Sequence, residues 1–370
     1  MSVNIRDYTG KTVFVGIDVH KKTYSCVCIC DNEIVKRDRM EAHPKGLLQY
    51  LRKSFPGARV KSAYEAGFSG FYLHRYLLKN SINSIVVHPG SIEVSSRDRV
   101  KTDKRDALKI ATQLSADRLK GIFVPSEEQE ARRCVSRLRY NLLRLRVQLG
   151  NQLKSLLFTQ GLIEGEDDKK VSSKWLLEKQ EKIKMLNLSE DFVYTVEQYA
   201  FQWEALTAHL KKVQEKLKQQ SLCDTKLQEI YQSVPGIGPI HGRDLANELG
   251  DMKQFRNEKQ LFSYTGLTPS EYSSGEHIRQ GNISRQGRSI FRKILIEAAW
   301  VAVKTDSHLQ EVYNRLSKNR GKKRAIIGIA RRLVGRIRSC LMNETLYDTQ
   351  LVCKQSVPPS TICATSSQSL

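Results

Sequence analysis

Hydrophobic and polar positions follow two periods along the first 124 residues. Val13-Phe-Val-Gly-Ile-Asp18 is a continuous apolar run ending in an acid, followed by Thr23–Cys30 and Glu33–Met40. Asp31-Asn32 between the last two is a turn signal, so a β-meander is predicted. Pro44–Ser54 then carries Leu47, Leu48 and Leu51 at helical spacing. Val60–Glu65 reads as a strand and Phe71–Asn80 as a helix bearing Leu73, Tyr76 and Leu77. Ser84–His88 is a further strand closed by Pro89-Gly90, and Lys104–Leu119 a helix with Ala107, Ile110, Ala111 and Leu114 on one face. Three leading strands followed by alternating helix and strand predict an α/β domain over 1–124, a mixed sheet with helices on its faces.

From Ser126 the period is that of long helices. Ala131, Val135, Leu138, Leu142, Leu145, Leu149, Leu153 and Leu156 recur at spacings of mostly four and three. A second seam runs Val193, Val196, Ala200, Trp203, Leu206, Leu210, Val213 and Leu217, with Ser189 placed as an N-cap. This predicts a coiled-coil-like helical arm over 125–226, broken by a charged segment at 164–170. An antiparallel hairpin within the chain and a dimerisation arm both fit, because such seams alone do not choose a partner. Residues 227–340 read as a mostly helical module. The stretch from 341 is rich in Ser, Thr and Pro without periodicity, as expected of a flexible tail.

Composition changes the picture in one respect. The 370 residues hold 61 Lys and Arg against 39 Asp and Glu, a net charge of +22. Between Glu276 and Cys340 there are 16 basic and 4 acidic residues, a local charge of +12. A polyanionic partner follows, and nucleic acid ranks before acidic lipid because no basic amphipathic anchor helix stands out. With mean hydropathy of −0.45, no run near the ~18–20 apolar residues of a membrane span, and no signal-peptide core, a cytoplasmic chain is expected. Cys26, Cys28 and Cys30 alternate along one strand. That spacing is wrong for a zinc knuckle and suits reduced, buried thiols.

Four acids stand at element ends: Asp18 and Glu65 close strands, and Asp103 and Asp106 open a helix. Each alone reads as a turn, cap or helix-dipole residue. Together, across a strand–helix alternation, they can converge at one sheet edge, where their mutual repulsion calls for divalent cations. Oxygen ligands favour Mg²⁺ or Mn²⁺, and two such ions about 4 Å apart can hold a phosphodiester.

These residues carry a resemblance. Gly16-Ile-Asp18-Val-His-Lys21, Tyr64-Glu65-Ala-Gly67 and Lys101-Thr-Asp103-Lys-Arg-Asp106-Ala107 resemble the N-terminal domain of the DEDD insertion-sequence transposases. These are understood as bridge-RNA-guided serine recombinases with a RuvC-like, ribonuclease-H-type fold. The resemblance implies that Asp18, Glu65, Asp103 and Asp106 form the metal-binding tetrad.

The second half carries the matching order. Ser233-Val-Pro-Gly-Ile-Gly-Pro239 looks like the hairpin of a helix–hairpin–helix, in which Gly236 and Gly238 can offer backbone N–H groups to a phosphate. Alone it is only a turn between helices. Leu261-Phe-Ser-Tyr-Thr-Gly-Leu-Thr-Pro269, Ser273-Ser274-Gly275 and Gly281-Asn-Ile-Ser-Arg-Gln-Gly287 follow, and the order resembles the C-terminal transposase domain of the same family. The family's nucleophilic serine stands directly before a glycine, which here marks Ser274, with Ser273 as its neighbour and competitor. Arg285 replaces the lysine often found after Ile-Ser and keeps the charge.

The resemblance spans about residues 12–340. It implies a transposase or site-specific recombinase whose Ser274 forms a covalent phosphoserine linkage with DNA. It also implies dimers that pair into tetramers, with composite sites built from two subunits, and a noncoding bridge RNA that specifies target and donor DNA. Arg285, Arg288, Lys322, Lys323 and Arg324 are the expected basic contacts to nucleic acid. No ATP is required, and no Walker motif is present. Two alternatives remain at this level: a RuvC-like metal nuclease with a structural serine, and a non-catalytic nucleic-acid-binding protein.

Overall fold

Antiparallel strands β1 (Thr12–Val19), β2 (Thr23–Cys30) and β3 (Glu33–Glu41) make the predicted meander. Strands β4 (Arg59–Glu65) and β5 (Asn83–Val87) join it in parallel, giving one sheet in the order β3-β2-β1-β4-β5. The computed structural model describes residues 7–93, 102–163, 170–271 and 279–349. The chain divides into two units, Met1–Val124 and Pro125–Leu370. The β2–β3 turn puts Asp31 and Asn32 at φ 51° and 63°, the left-handed conformation that a two-residue hairpin needs and that short polar side chains tolerate.

The sheet is covered on both faces. Val13, Val15, Ile17 and Tyr64 pack with Leu47 and Leu51 of α1 (Pro44–Ser54) and Leu73 and Leu77 of α2 (Tyr72–Lys79). Ala63, Val27 and Ile29 lie on the other face, against Ala107, Ile110, Ala111 and Leu114 of α3 (Asp103–Ser115). β2 is therefore apolar on both sides and reads as an unbroken hydrophobic run. Cys26, Cys28 and Cys30 share the first face as buried thiols, and burial pushes the Cys28 thiol up to about 12. The last helix of this unit ends before the predicted Leu119. Asp117 turns the chain at φ 54°, Leu119 packs back into the core, and Gly121 bridges to Val87.

In the second unit α4 (Glu127–Thr159) and α6 (Glu190–Cys223) pair. Ser126 and Ser189 cap them by accepting from Gln129 N and Phe192 N. Arg132 meets Asp224 and Gly150 meets Trp203, so the two helices run antiparallel within the chain. The intervening α5 (Ser173–Lys184), absent from the sequence expectation, closes the far end with Trp175, Leu176 and Ile183. The near end departs from the predicted seam. Leu138 and Leu145 are exposed, while Arg133, Ser136 and Arg139 are buried. The cause is polar: these residues face helix α8 (Pro239–Leu249), which presents Asp244, Asn247 and Glu248.

Helices α7 (Thr225–Ser233), α8, α9 (Glu258–Thr265), α10 (Ser289–Thr305), α11 (Ser307–Arg320) and α12 (Lys322–Asn343) enclose a common core around Leu245, Phe291, Ala298, Leu309 and Leu333. Strands β6 (Pro269–Glu271) and β7 (Gln280–Ile283) form a small hairpin. Packing continues past residue 340, where a tail is expected. α12 runs to Asn343, and Tyr347 is buried against Arg336 and Asp306. The expected tail beyond 349 lies outside the described residues. No helix among the described residues is long and apolar enough to cross a membrane.

Candidate metal centre and nucleic-acid surfaces

The register of the sheet places the first acids. Ile17 pairs with Tyr64 on parallel neighbours, so Asp18 and Glu65 each follow the last paired residue of adjacent strands. Side chains alternate along a strand, so Asp18 shares the face of Gly16, the face that receives α3. A methyl group at Gly16 would lie 2.1 Å from the Ala107 carbonyl oxygen and 2.4 Å from Ala111 N. Glycine thus lets the helix backbone rest directly on β1. That contact brings the first turn of α3, with Asp103 and Asp106, to the end of β1.

There Asp18, His20 and Asp103 offer ligand atoms within 4.8 Å of one another. His20 Nε2 lies 3.1 Å from Asp18 Oδ2 and 3.3 Å from Asp103 Oδ1, bridging two carboxylates. Arg39 Nη2 stands 3.9 Å from Asp103 Oδ2, and Lys109 Nζ donates to Asp106 Oδ1 at 3.3 Å. Burial raises the Asp18 pKa above its usual value, and the Asp103 and Asp106 charges add to this against the pull of His20. Opposite Asp18 on β2, Ser25 has a buried hydroxyl without a hydrogen-bond partner. Clustered carboxylates held by an imidazole and a guanidinium, beside an unsatisfied hydroxyl, fit a divalent cation bound through oxygen and nitrogen. Glu65 is exposed and stands outside the three-residue group.

His20 and Arg39 were not assigned a role from sequence. His20 sits two residues beyond Asp18, just past the end of β1, and an imidazole so close to the acid was a usable signal. Arg39 had none. It reaches the site because it pairs with Ser25, which pairs with Asp18, and such a row across three strands exists only in the folded sheet.

The expected nucleophile Ser274, with Ser273, Gly275 and the rest of 272–278, lies outside the described residues, as does Lys101. Gly236 and Gly238 are exposed in the turn between α7 and α8. Gly236 adopts φ 81°, and a methyl there would strike Ala298 Cα at 2.8 Å. The turn therefore rests against α10 with its backbone uncovered. Arg285 is exposed at φ 54°, and exposed Arg288 precedes α10 with Nε 3.8 Å from Glu248 Oε1. Lys322, Lys323 and Arg324 form the exposed first turn of α12, which holds no acid. Three cations against the positive end of a helix dipole favour an anionic partner.

Comparison with known proteins gives the chain its relatives. A family model described as a DEDD transposase of the IS110 type matches residues 15–159. A second, described as "Transposase IS116/IS110/IS902 family", matches residues 228–314. The chain is 27% identical over 365 residues to y4qE of Sinorhizobium fredii, which carries a transposase name, covering 90% of this chain and 88% of the relative. It is 27% identical over 326 residues to the transposase for insertion sequence element IS1533 of Leptospira borgpetersenii, covering 78% and 85%. It is 25% identical over 303 residues to the transposase for insertion sequence element IS1328 of Yersinia enterocolitica, covering 78% and 83%. Both models in the expected order on one chain, together with relatives aligned over most of its length, make this chain a member of the IS110/IS116 family of DEDD insertion-sequence transposases.

Proposed function

We propose that this transposase is a serine recombinase guided by a bridge RNA, with a RuvC-like N-terminal domain. In this reading 1–124 is the metal-binding domain, 125–226 an arm that assembles dimers into tetramers, and 227–340 the domain that presents Ser274. The observation that carries it is the grouping of Asp18, His20 and Asp103, with Asp106 one turn along α3.

Asp18, Glu65, Asp103 and Asp106 would hold Mg²⁺ or Mn²⁺. The bound ion supplies positive charge to a phosphodiester whose negative charge grows during displacement. The Ser274 hydroxyl gives up its proton as its oxygen bonds to phosphorus, the bond from phosphorus to the scissile DNA oxygen breaks, that oxygen takes up a proton, and phosphoserine results. A DNA hydroxyl later attacks the same phosphorus, restoring the phosphodiester and the serine. Because each linkage is conserved, no ATP is consumed. Gly236, Gly238, Arg285, Arg288, Lys322, Lys323 and Arg324 hold backbone phosphates, while RNA pairing reads the sequence. The activity belongs in the cytoplasm, at the nucleoid.

The test is a substrate that traps the intermediate. A protein–DNA adduct stable to denaturant, lost in Ser274→Ala and kept in Ser273→Ala, is the expected result. Cleavage by Ser274→Ala that leaves protein-free nicked DNA, with the acids still essential, would assign the chemistry to metal-activated water.

A further inference from the structure

A cleft of about 860 Å³ opens between α9, α11 and α12, and its two ends differ in charge balance. At one end the Arg336 guanidinium donates to Asp306 and to Tyr347 Oη, and Tyr347 Oη donates to Asp306 Oδ2 at 2.7 Å. That arginine is neutralised by a fully buried carboxylate. One turn back along the same helix, Arg331 and Arg332 also line the cleft. Among the described residues neither has a carboxylate within 4.0 Å.

Arg331 is the more confined of the two. Its guanidinium lies 5.2 Å from the Phe262 ring centre, and its Nε is buried without a hydrogen-bond partner. Burial, and then the adjacent Arg332 charge, lower its pKa from the ordinary value. The two acids nearest in the cleft do not relieve this. The Glu258 carboxylate is drawn against α12 at Gly335, where a methyl would lie 3.2 Å from Oε1, and Asp348 follows Tyr347, which is bound to Arg336. Arg320 adds a third positive charge to the lining. A partly desolvated guanidinium beside like charges is costly unless an anion meets it. Paired guanidinium forks match the tetrahedral oxygens of a phosphate.

We propose that this cleft holds a phosphate group of a nucleic-acid strand between Arg331 and Arg332. The inference rests on the nucleic-acid reading above and adds a built contact separate from the exposed first turn of α12. Its test reads binding only, so a chain unable to form the Ser274 adduct can still pass it.

Binding of a labelled short oligothymidylate to the full chain by fluorescence anisotropy decides the matter. Arg331→Met with Arg332→Met removes two charges, and the triple change of Lys322, Lys323 and Arg324 to Ala removes three. If the cleft is a site, the double variant weakens binding about tenfold and more than the triple variant does. If the loss merely follows the number of charges removed, the proposal fails. Arg332 is exposed, so Arg332→Glu repeats the test without disturbing the Phe262 contact, and unchanged affinity there also overturns it. Inorganic phosphate, titrated in parallel, should bind far more weakly than the oligonucleotide. Equal affinity with the same arginine dependence would mark a free-anion site and overturn the strand assignment.

Discussion

Gly16 and Ala107 meet backbone to backbone: a methyl on the glycine would lie 2.1 Å from the alanine carbonyl oxygen. This contact sets how closely α3 approaches β1, and so where Asp103 and Asp106 stand relative to Asp18. Gly16→Ala should push the helix outward, destabilising the first unit by about 1–3 kcal/mol. Thermal unfolding measures the loss. A variant as stable as the parent would mean that α3 is not seated on the glycine.

Asp18 carries the repulsion of Asp103 and Asp106 on a partly buried carboxyl. Asp18→Asn should therefore leave metal-free stability unchanged or slightly raised. Mn²⁺ should raise the melting temperature of the parent chain and not that of the variant, since only the folded site binds the ion. An equal rise in both would remove Asp18 from the metal site.

Glu248 accepts both arms of the Arg137 fork, at 2.7 and 2.9 Å, and is itself buried. Removing the arginine leaves a buried carboxylate with Arg288 3.8 Å away. Arg137→Ala should cost about 3–5 kcal/mol, the range for breaking a buried ion pair on one side. Arg137→Ala with Glu248→Ala should cost less than the sum of the singles. Urea unfolding of the four chains of that cycle tests this, and additivity would show the pair to be uncoupled.

Asp244 faces Arg139 at 2.7 Å, yet burial pushes its carboxyl from the ordinary 3.8 up to about 6. The folded chain then keeps a proton that the unfolded chain releases. This contribution to stability is full below the unfolded pKa and lost as pH rises through about 6. The stability of the parent minus that of Asp244→Asn should accordingly shrink between pH 4 and pH 7. Denaturant unfolding across that range checks the sign, and a difference that grew with pH would contradict it.

Nucleic-acid affinity should fall with salt by about 0.9 log units per log unit for each DNA phosphate contacted. Replacing Lys322, Lys323 and Arg324 together should weaken binding and flatten that slope. An unchanged slope would make the first turn of α12 a solvated face.

The strands and helices of the first unit were legible from period alone, because each buries one or both faces against neighbours and the apolar spacing records that burial. The Asp31-Asn32 turn and the Ser189 cap were equally legible, since both rest on contacts within a few residues. The four acids were visible as chain positions at element ends. Their convergence at a sheet edge was an expectation, but the basic groups among them were not legible: His20 between Asp18 and Asp103, and Arg39 beyond Ser25, depend on register across three strands and on α3 resting on Gly16. The arm divides in the same way. Heptad spacing identified two long helices, but it took Leu138 and Leu145 for seam residues. Only the fold turns Arg133, Ser136 and Arg139 inward, because the carboxylates and carbonyls that satisfy them belong to a helix about a hundred residues further along the chain. Periodicity registers the burial of apolar surface, whereas a buried arginine is decided by a partner that local sequence does not contain.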